Sequence, residues 1–217
     1  MTKVIAVVAF VTGALVAACA QGQRQVSLLI TNGIVVTMDG AGGVINDGGV
    51  AIDGTDIVAV GATDAVRQRF QGRDTIDADG QVVMPGLVNT HTHAAMVLYR
   101  GLADDLALKE WLSNYIFPAE AKTVSPEFVR AGTRLAALEM IESGTTTFAD
   151  MYYFEEEVAK ETKAAGLRGV LGQTVIQFPV ADAKTPLDAL ARAETFIKAF
   201  RNDPLITPAV APTAIYT

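Results

Sequence analysis

The chain has 217 residues, which is enough for one or two domains, and half of them are hydrophobic, so a sizeable core can form. This composition excludes an intrinsically disordered chain. The net charge of −7 and the isoelectric point near 4.8 argue against nucleic acid as a partner, because no basic stripe is present to neutralise phosphates. The one cysteine, Cys19, excludes a disulfide within the chain.

The first twenty residues are predicted to be a signal peptide. A positive start, Met1-Thr2-Lys3, precedes the almost wholly apolar residues 4–18, which fall short of the roughly 20 residues of a membrane span. Residues 15–19, Leu-Val-Ala-Ala-Cys, resemble a bacterial lipobox, in which the cysteine is lipidated and begins the mature protein. The residue after Cys19 is Ala20 and not an aspartate. In lipoproteins this resembles the signal for sorting to the outer membrane.

Two other interpretations of this segment stay open. The sequence Ala18-Cys19-Ala20 also fits ordinary signal-peptide cleavage at an A-x-A-like site, and the apolar run also fits a plain N-terminal strand. We expect an exported protein, located in the periplasm or carried as an outer-membrane lipoprotein with a lipid anchor.

Residues 26–83, which follow a polar linker at residues 21–25, are predicted to form a small antiparallel β module. Short β-branched runs are separated by turn sequences that place glycine after aspartate, as in Asp39-Gly40 and Asp53-Gly54. The predicted strands are residues 28–36, 49–52, 57–60 and 75–76, and residues 65–70 are expected to add one helical turn. The acidic residues here are most simply turn formers.

Residues 84–217 are predicted to alternate between strands and helices. The predicted strands are residues 87–93, 145–151, 168–176 and 205–211, and the predicted helices are 109–114, 126–143, 155–166 and 185–201. This alternation is typical of parallel βα units. It supplies four barrel-type strands, whereas a (β/α)₈ barrel needs eight.

The helix over residues 126–143 has the clearest limits. Ser125 is placed to cap it, Pro126 fits its first position, and Gly144 follows its end. An apolar face at helical spacing is predicted to consist of Phe128, Ala131, Leu135, Leu138 and Ile141. In the next helix, Glu155-Glu156-Glu157 is interpreted as a first turn that complements the helix dipole; the alternative is a metal site.

His91 and His93 are the only histidines in the chain, and they lie at the end of the predicted strand 87–93. Residues i and i+2 of a strand point to the same face, so the two imidazoles are expected to lie side by side. Neutral imidazole suits zinc, iron, copper and nickel, and zinc normally takes four ligands, or three and a water. The pair therefore predicts half of a metal site, for which Asp104, Asp105 and Asp150 are candidate oxygen ligands. For Asp150 the favoured interpretation is a hydrogen-bonding carboxylate.

The sequence around this pair resembles the amidohydrolase superfamily. The residues that carry the resemblance are the β module followed by residues 82–93, Val-Val-Met-Pro-Gly-Leu-Val-Asn-Thr-His-Thr-His. Residues 94–105, then Trp111-Leu112 and residues 117–120, Phe-Pro-Ala-Glu, are similar to the branch that contains triazine hydrolases and methylthioadenosine/S-adenosylhomocysteine deaminases. The resemblance spans roughly residues 26–217.

The resemblance implies an α/β fold, the N-terminal half of a metal-dependent (β/α)₈ barrel preceded by a small β-sandwich built from both chain ends. It implies a hydrolase in which a metal-bound hydroxide attacks an electron-poor ring carbon of a heterocycle, as in deamination of a purine or removal of a chloro substituent. His91 and His93 match the first two metal ligands, for which we expect zinc, with iron as the other candidate. Glu120 matches a glutamate that bonds ribose hydroxyls, and Trp111 matches a position near the substrate pocket.

The chain departs from the family pattern at two places. Thr213 stands where the family usually has a substrate-contacting histidine, and one hydrogen bond from its hydroxyl is the expected replacement. The other metal ligands and the proton-shuttling glutamate belong to later strands of the family fold. We therefore expect two kinds of partner. One is a small heterocyclic substrate, and the other is either the missing barrel half or further copies of the chain in a homo-oligomer. The alternative hypothesis is a truncated inactive relative or an exported, non-catalytic binding lipoprotein.

Overall fold

The computed structural model describes residues 22–214, and within that range the chain divides into two compact units between Pro85 and Gly86. The predicted signal peptide and Cys19 lie outside the described residues. The first unit contains strands β1 (Arg24–Val36), β2 (Val44–Asp53) and β3 (Asp56–Ala62), helix α1 (Thr63–Arg69), and strands β4 (Phe70–Asp77) and β5 (Val82–Val83).

The first unit is a mixed sheet in the order β3-β2-β1-β4, with β5 also paired to β1. The pairs β1–β2 and β2–β3 are antiparallel, as the aspartate-glycine turns predict, but β4 and β5 run parallel to β1. The prediction of a wholly antiparallel module is wrong. Strand β4 is parallel to β1 because α1 carries the chain back across the sheet before β4 begins. Val26, Leu29, Ala51, Val66 and Phe70 form the core of this unit.

The second unit alternates strands and helices. It contains strand β6 (Leu87–Thr92), a 3₁₀ turn (Ala94–Tyr99), helix α2 (Leu108–Trp111), a π-helical turn (Leu112–Ile116), helices α3 (Phe117–Thr123) and α4 (Pro126–Glu142), strand β7 (Thr145–Tyr152), helix α5 (Glu155–Ala164), strand β8 (Arg168–Val175), helix α6 (Pro186–Phe200) and strand β9 (Ile206–Pro212). These bounds agree closely with the predicted strands and long helices, whereas the predicted helix 109–114 is part of a longer helical segment.

The strands of the second unit form a parallel sheet in the order β6-β7-β8-β9, joined by the helical crossovers that the alternation predicts. Parallel order places the carboxyl ends of all these strands at one edge of the sheet. Arg134 of α4 pairs with Glu161 of α5 at 2.5 Å, and Arg192 of α6 pairs with Glu156 of α5 at 2.7 Å. These ion pairs link neighbouring helices across the sheet face.

The prediction of which face of α4 is buried is wrong. Leu135, Leu138 and Ile141 are exposed, whereas the neighbouring positions, including Gly132 and Ala136, are buried. Small residues predominate at the middle of the buried face, at Gly132, Thr133, Ala136 and Ala137, and Gly132 lies close to the 3₁₀ turn. A Cβ atom on Gly132 would lie 2.4 Å from the carbonyl oxygen of Ala95. The predicted cap is correct, since the Ser125 hydroxyl accepts a hydrogen bond from the backbone amide of Phe128 at 3.2 Å.

Apolar side chains remain exposed along both margins of this unit. Leu87 and Val88 of β6 are 50% and 62% exposed, and Leu187 of α6 is 76% exposed. Such continuous apolar margins are typical of surfaces that another element covers. Of the helices between residues 22 and 214, none is both long enough and apolar enough to cross a lipid bilayer.

Candidate functional site

A cavity of about 500 Å³, here called the main cavity, lies at the carboxyl ends of β6 to β9. This is the end of a parallel βα sheet at which active sites form. The cavity brings together His91, His93, Trp111, Glu120, Thr213 and the candidate ligand Asp150. Their placement in one cavity is a structural fact, whereas the role of each residue stays a prediction. The other two candidate ligands, Asp104 and Asp105, do not line it; they line a neighbouring cavity with His93.

The two histidines lie at an irregular end of β6. The pairing of β6 with β7 slips between Asn89 and Thr92, where β6 has one more residue than its partner. Such bulges redirect side chains beside active sites. The ring centroids of His91 and His93 are 5.3 Å apart, with the rings nearly perpendicular at 86°.

The His93 ring is held in one tautomer. Its Nδ1 atom lies 2.7 Å from the carbonyl oxygen of Met151 on β7. A carbonyl oxygen only accepts hydrogen bonds, so Nδ1 must carry the proton and donate. The lone pair of neutral His93 is therefore on Nε2, which is the form that ligates a metal when the other ring nitrogen is fixed by a carbonyl.

Asp150 forms hydrogen bonds with the residues on both sides of His93. Its Oδ1 accepts hydrogen bonds from the Thr92 hydroxyl at 2.8 Å and from the Ala94 amide at 2.7 Å. Burial raises the pKa of this carboxyl, and the hydrogen bonds from Ala94 and Thr92 act in the opposite direction. The structure thus shows the hydrogen-bonding carboxylate that the sequence interpretation favoured. Its Oδ2 is buried and has no hydrogen-bond partner among residues 22–214.

Glu120 is a buried carboxylate held by two tyrosines. The Tyr152 hydroxyl donates to Oε1 at 2.8 Å, and the Tyr153 hydroxyl donates to Oε2 at 3.4 Å. Burial raises the pKa of Glu120, while the two tyrosine hydrogen bonds lower it. Burial, and then the Glu120 charge, raise the pKa of both tyrosines, so their hydroxyls stay protonated and act as donors.

The tyrosines are the functional residues that the sequence analysis missed. They directly follow Asp150-Met151 at the carboxyl end of a predicted parallel strand, and residues at that position line the active site in this class of fold. Their position in the chain could therefore have predicted that they line the site.

Trp111 and Thr213 lie on two sides of the main cavity, and each has its polar group engaged. The indole Nε1 of Trp111 donates to the carbonyl oxygen of Leu102 at 3.1 Å. The hydroxyl of Thr213 donates to the carbonyl oxygen of Val175 at 3.3 Å. In this arrangement the Thr213 oxygen is available as an acceptor, and its contact with a substrate stays a prediction.

The other acidic candidates are not gathered around the histidines. Between residues 22 and 214, no group of three or more His, Cys, Asp or Glu side chains is arranged to hold a metal ion. Glu155 accepts a hydrogen bond from the Tyr152 amide at 2.7 Å, and Glu157 pairs with Arg130 at 2.8 Å. Glu156 pairs with Arg192 of α6 at 2.7 Å, so all three glutamates make contacts within this unit. The interpretation that they complement the helix dipole stays a prediction.

Comparison with known proteins identifies close relatives. The amidohydrolase family model matches residues 82–217. The chain is 50% identical over 194 residues to 5-methylthioadenosine/S-adenosylhomocysteine deaminase 1 of Syntrophus aciditrophicus, which covers 89% of this chain and 44% of that protein. The chain thus spans less than half the length of this curated relative.

Two solved structures are similar to this chain. An adenosine deaminase from Xanthomonas campestris with bound zinc is 42% identical, with a TM-score of 0.87 over 90% of this chain and 44% of that one. Atrazine chlorohydrolase from Arthrobacter aurescens, complexed with zinc, has a TM-score of 0.76 at 22% identity, over 87% of this chain and 47% of that one, and shows the fold alone. The predicted resemblance and the predicted fold class, an N-terminal half of such a barrel, are confirmed.

Proposed function

We propose that this chain, which belongs to the amidohydrolase family, carries the first metal ligands and the sugar-binding wall of a hydrolase that deaminates the purine ring of a nucleoside. The observation that supports this proposal is the main cavity itself, in which the His91–His93 pair and the buried Glu120 line one volume of about 500 Å³. A carboxylate beside a metal-type histidine pair suits a ligand that combines a heterocycle with vicinal hydroxyls. The deaminases among the relatives agree with this choice of substrate class.

The donors present fit a divalent metal, and we infer zinc. His93 offers Nε2 because its Nδ1 is held by Met151, and the ring of His91 lies 5.3 Å away, centroid to centroid. Zinc accepts imidazole nitrogen readily, and the adenosine deaminase structure that is 42% identical to this chain contains zinc. When bound, such a metal lowers the pKa of water enough to supply hydroxide near neutral pH.

The chain's own residues would bind and orient the nucleoside. Each carboxylate oxygen of Glu120 has lone pairs beyond those used by the tyrosines, so it is able to accept hydrogen bonds from sugar hydroxyls. The face of Trp111 gives the main cavity an apolar wall that excludes water from a heterocycle. Thr213 offers an acceptor at the opposite side. We propose that the remaining ligands and the proton-shuttling carboxylate come from a second barrel half, as in the longer relatives.

Metal binding by the chain tests the first part of this proposal. Zinc titrated into the purified chain and followed by equilibrium dialysis should bind weakly, because two imidazoles make half of a site. His91→Ala and His93→Ala should each abolish that binding, whereas the control Asn202→Ala, at an exposed position that does not line the main cavity, should not. Stoichiometric zinc that survives dialysis would contradict a half site, and binding that persists in both histidine variants would contradict the ligand assignment.

The small molecule that is released, ammonia or chloride, identifies the reaction. With zinc and the complementary barrel half present, we expect ammonia from an adenosine-type nucleoside and no chloride from a chlorinated triazine. Chloride release alone would favour a chlorohydrolase. The DNA downstream or in a neighbouring reading frame should encode a His-x-x-Glu segment and a strand that ends in aspartate; their absence there would favour the alternative of a non-catalytic protein.

A further inference from the structure

Two consecutive tyrosines reach the same carboxylate. The Tyr152 hydroxyl donates to Oε1 of Glu120 at 2.8 Å, the Tyr153 hydroxyl donates to Oε2 at 3.4 Å, and the two ring centroids are 4.8 Å apart. Consecutive side chains of an extended strand point to opposite faces. The chain must therefore leave the extended conformation at these tyrosines for both hydroxyls to reach Glu120.

Phe154, the next residue, is where the chain turns. Its backbone is left-handed, with φ 54° and ψ 47°, between the end of β7 and the first residue of α5. A residue with a Cβ atom is disfavoured in this conformation, which persists only where surrounding contacts impose it. The contacts of Phe154 therefore show what holds the turn.

A buried carboxylate holds this turn from outside it. The Phe154 amide donates to Oδ2 of Asp182 at 2.9 Å. The same oxygen accepts a hydrogen bond from the Gln173 side chain of β8 at 2.9 Å, and Nε of Arg192 on α6 lies 3.3 Å from it. The Asp182 side chain is fully buried. One oxygen atom thus connects the turn to the next strand and to the next helix.

We propose that Asp182 is a positioning residue for ligand binding: it holds Phe154 in the left-handed turn, so that both preceding tyrosines donate to Glu120. This inference rests on the proposed function, in which Glu120 accepts hydrogen bonds from sugar hydroxyls. Asp182 itself does not line the main cavity. Its effect on a ligand must therefore pass through the turn and the tyrosines.

Adenosine titrations of the chain and its variants test this inference. Trp111, the one tryptophan of the sequence, lines the main cavity and reports occupancy by fluorescence, with calorimetry as a second readout. Asp182→Ala removes the acceptor of the Phe154 amide, so adenosine affinity should fall about tenfold, as for a lost hydrogen bond to a charged group. In a Tyr152→Phe background the same substitution should lower the affinity at most about threefold, because the hydrogen bond through which it acts is already absent.

Two conservative variants separate the position of this oxygen from its charge. Asp182→Asn keeps an oxygen for the Phe154 amide and places its NH₂ group where Oδ1 of Asp182 has no hydrogen-bond partner among residues 22–214. It should retain most of the adenosine affinity. Asp182→Glu keeps the charge beside Arg192 but displaces the oxygen by one methylene, so it should bind adenosine as weakly as Asp182→Ala. Because it keeps the ion pair, it also tests the inference if Asp182→Ala does not fold.

Asp203→Ala is the matched control for a carboxylate with a structural role. Asp203 also accepts hydrogen bonds from backbone amides, those of Leu205 and Ile206 at 3.0 and 3.2 Å, and it pairs with Lys163. It precedes β9 and does not line the main cavity. Its variant should lose stability in urea unfolding and keep the adenosine affinity of the parent chain.

Three results would overturn this inference and leave the proposed function standing. They are an unchanged affinity in Asp182→Ala, an equal loss in the parent and Tyr152→Phe backgrounds, and weaker binding by Asp182→Asn than by Asp182→Glu. A parent chain that binds no adenosine by either readout would overturn the proposed function, and the inference with it.

Discussion

Two residues of β7 hold His93, the proposed metal ligand, in place. Asp150 accepts hydrogen bonds from the Thr92 hydroxyl and the Ala94 amide, on either side of His93, and the Met151 carbonyl sets its tautomer. The contacts of Asp150 with Thr92 and Ala94 explain why a buried carboxylate beside two histidines need not be a ligand. Sequence reasoning identified the histidines from their spacing, but the contacts that orient them depend on the pairing of β6 with β7.

Tyr152 is predicted to position Glu120 for ligand binding. Tyr152→Phe keeps the packed ring and removes the 2.8 Å hydrogen bond to the carboxylate. Hydrogen bonds to charged groups contribute about 1.5–3 kcal/mol, so adenosine affinity measured by Trp111 fluorescence should fall about tenfold. Tyr153→Phe should have a smaller effect, because its hydroxyl lies 3.4 Å from Glu120.

Tyr115→Phe serves as the control for both substitutions. Tyr115 lies in the same helical segment as Glu120 but is 41% exposed, so its variant should bind adenosine as the parent chain does. Equal losses in all three variants would indicate a general effect of removing a tyrosine hydroxyl. An unchanged affinity in Tyr152→Phe would show that Glu120 needs no such support.

At the scale of elements, the close contact between α4 and the 3₁₀ turn is predicted to exclude any side chain at Gly132. Gly132→Ala raises helix propensity by about 1 kcal/mol, but its Cβ would lie 2.4 Å from the Ala95 carbonyl oxygen. Overpacking of this kind costs about 1–3 kcal/mol, so we expect a net loss of stability in urea unfolding. Ala95 is two residues after His93, so weaker zinc binding should accompany that loss.

Ala131→Gly is the neighbouring control on the exposed face of α4. It should lose about 1 kcal/mol through helix propensity alone and leave zinc binding unchanged. A stabilised Gly132→Ala variant would show that the helix and the turn separate easily, which the observed packing contradicts.

The first turn of α5 is predicted to make stability depend on pH through Glu155. Burial, and then the charge of Asp150, raise the pKa of this carboxyl well above its ordinary value. The folded chain therefore binds this proton more tightly than the unfolded chain does. The stability that Glu155 contributes is fully present below the unfolded pKa of about 4.3 and is lost as pH rises towards the folded pKa.

Glu155→Gln removes this titration. The free energy of unfolding of the variant, relative to the parent chain, should rise between pH 5 and pH 8, with a slope of at most about 1.4 kcal/mol per pH unit. Glu127→Gln is the control, because a hydrogen bond from its own backbone amide, and then the Arg130 side chain, lower the pKa of Glu127. A Glu155→Gln difference that is constant across this range would show that Glu155 is ionised in the folded chain.

Local patterns predicted most elements, and they failed where tertiary contacts decide the outcome. The Ser125 cap and the β-branched run before Asp150 depend on near neighbours in the sequence, so their positions were predicted well. The buried face of α4 was missed because close approach to Ala95 selects small residues over Leu138. Glu120 and Trp111 were named through family resemblance, whereas Tyr152 and Tyr153, which donate to Glu120, were not named because that contact joins β7 to a helix about 30 residues earlier.

At the scale of the whole molecule, the exposed margins of the second unit agree with the proposal of a further barrel half. Leu87 and Val88 lie on β6, and the exposed Val210 lies on β9, the strands at the two ends of the sheet. In a closed barrel both margins would be covered, because the last strand pairs with the first. The same closure would add the metal donors that residues 22–214 do not supply.

Export and lipidation concern residues outside the described range, and they remain proposals. If Cys19 is the lipidated residue, cells that express the chain with labelled palmitate should label it, and the product should partition with membranes. Cys19→Ser should abolish the label, whereas Thr2→Ser should retain it. Processing of the Cys19→Ser chain at an unchanged site, without label in either form, would favour ordinary cleavage at Ala18-Cys19-Ala20 instead.

The hydrogen bonds that prepare His93 also have a consequence for the order of assembly. They reach only 58 residues along the chain, from Thr92 and His93 to Asp150 and Met151. Synthesis proceeds from the N-terminus, so β6, α4 and β7 emerge from the ribosome before β8 and β9. The imidazole would therefore be oriented and its proton placed early in translation, and the metal would meet a prepared ligand rather than organise one.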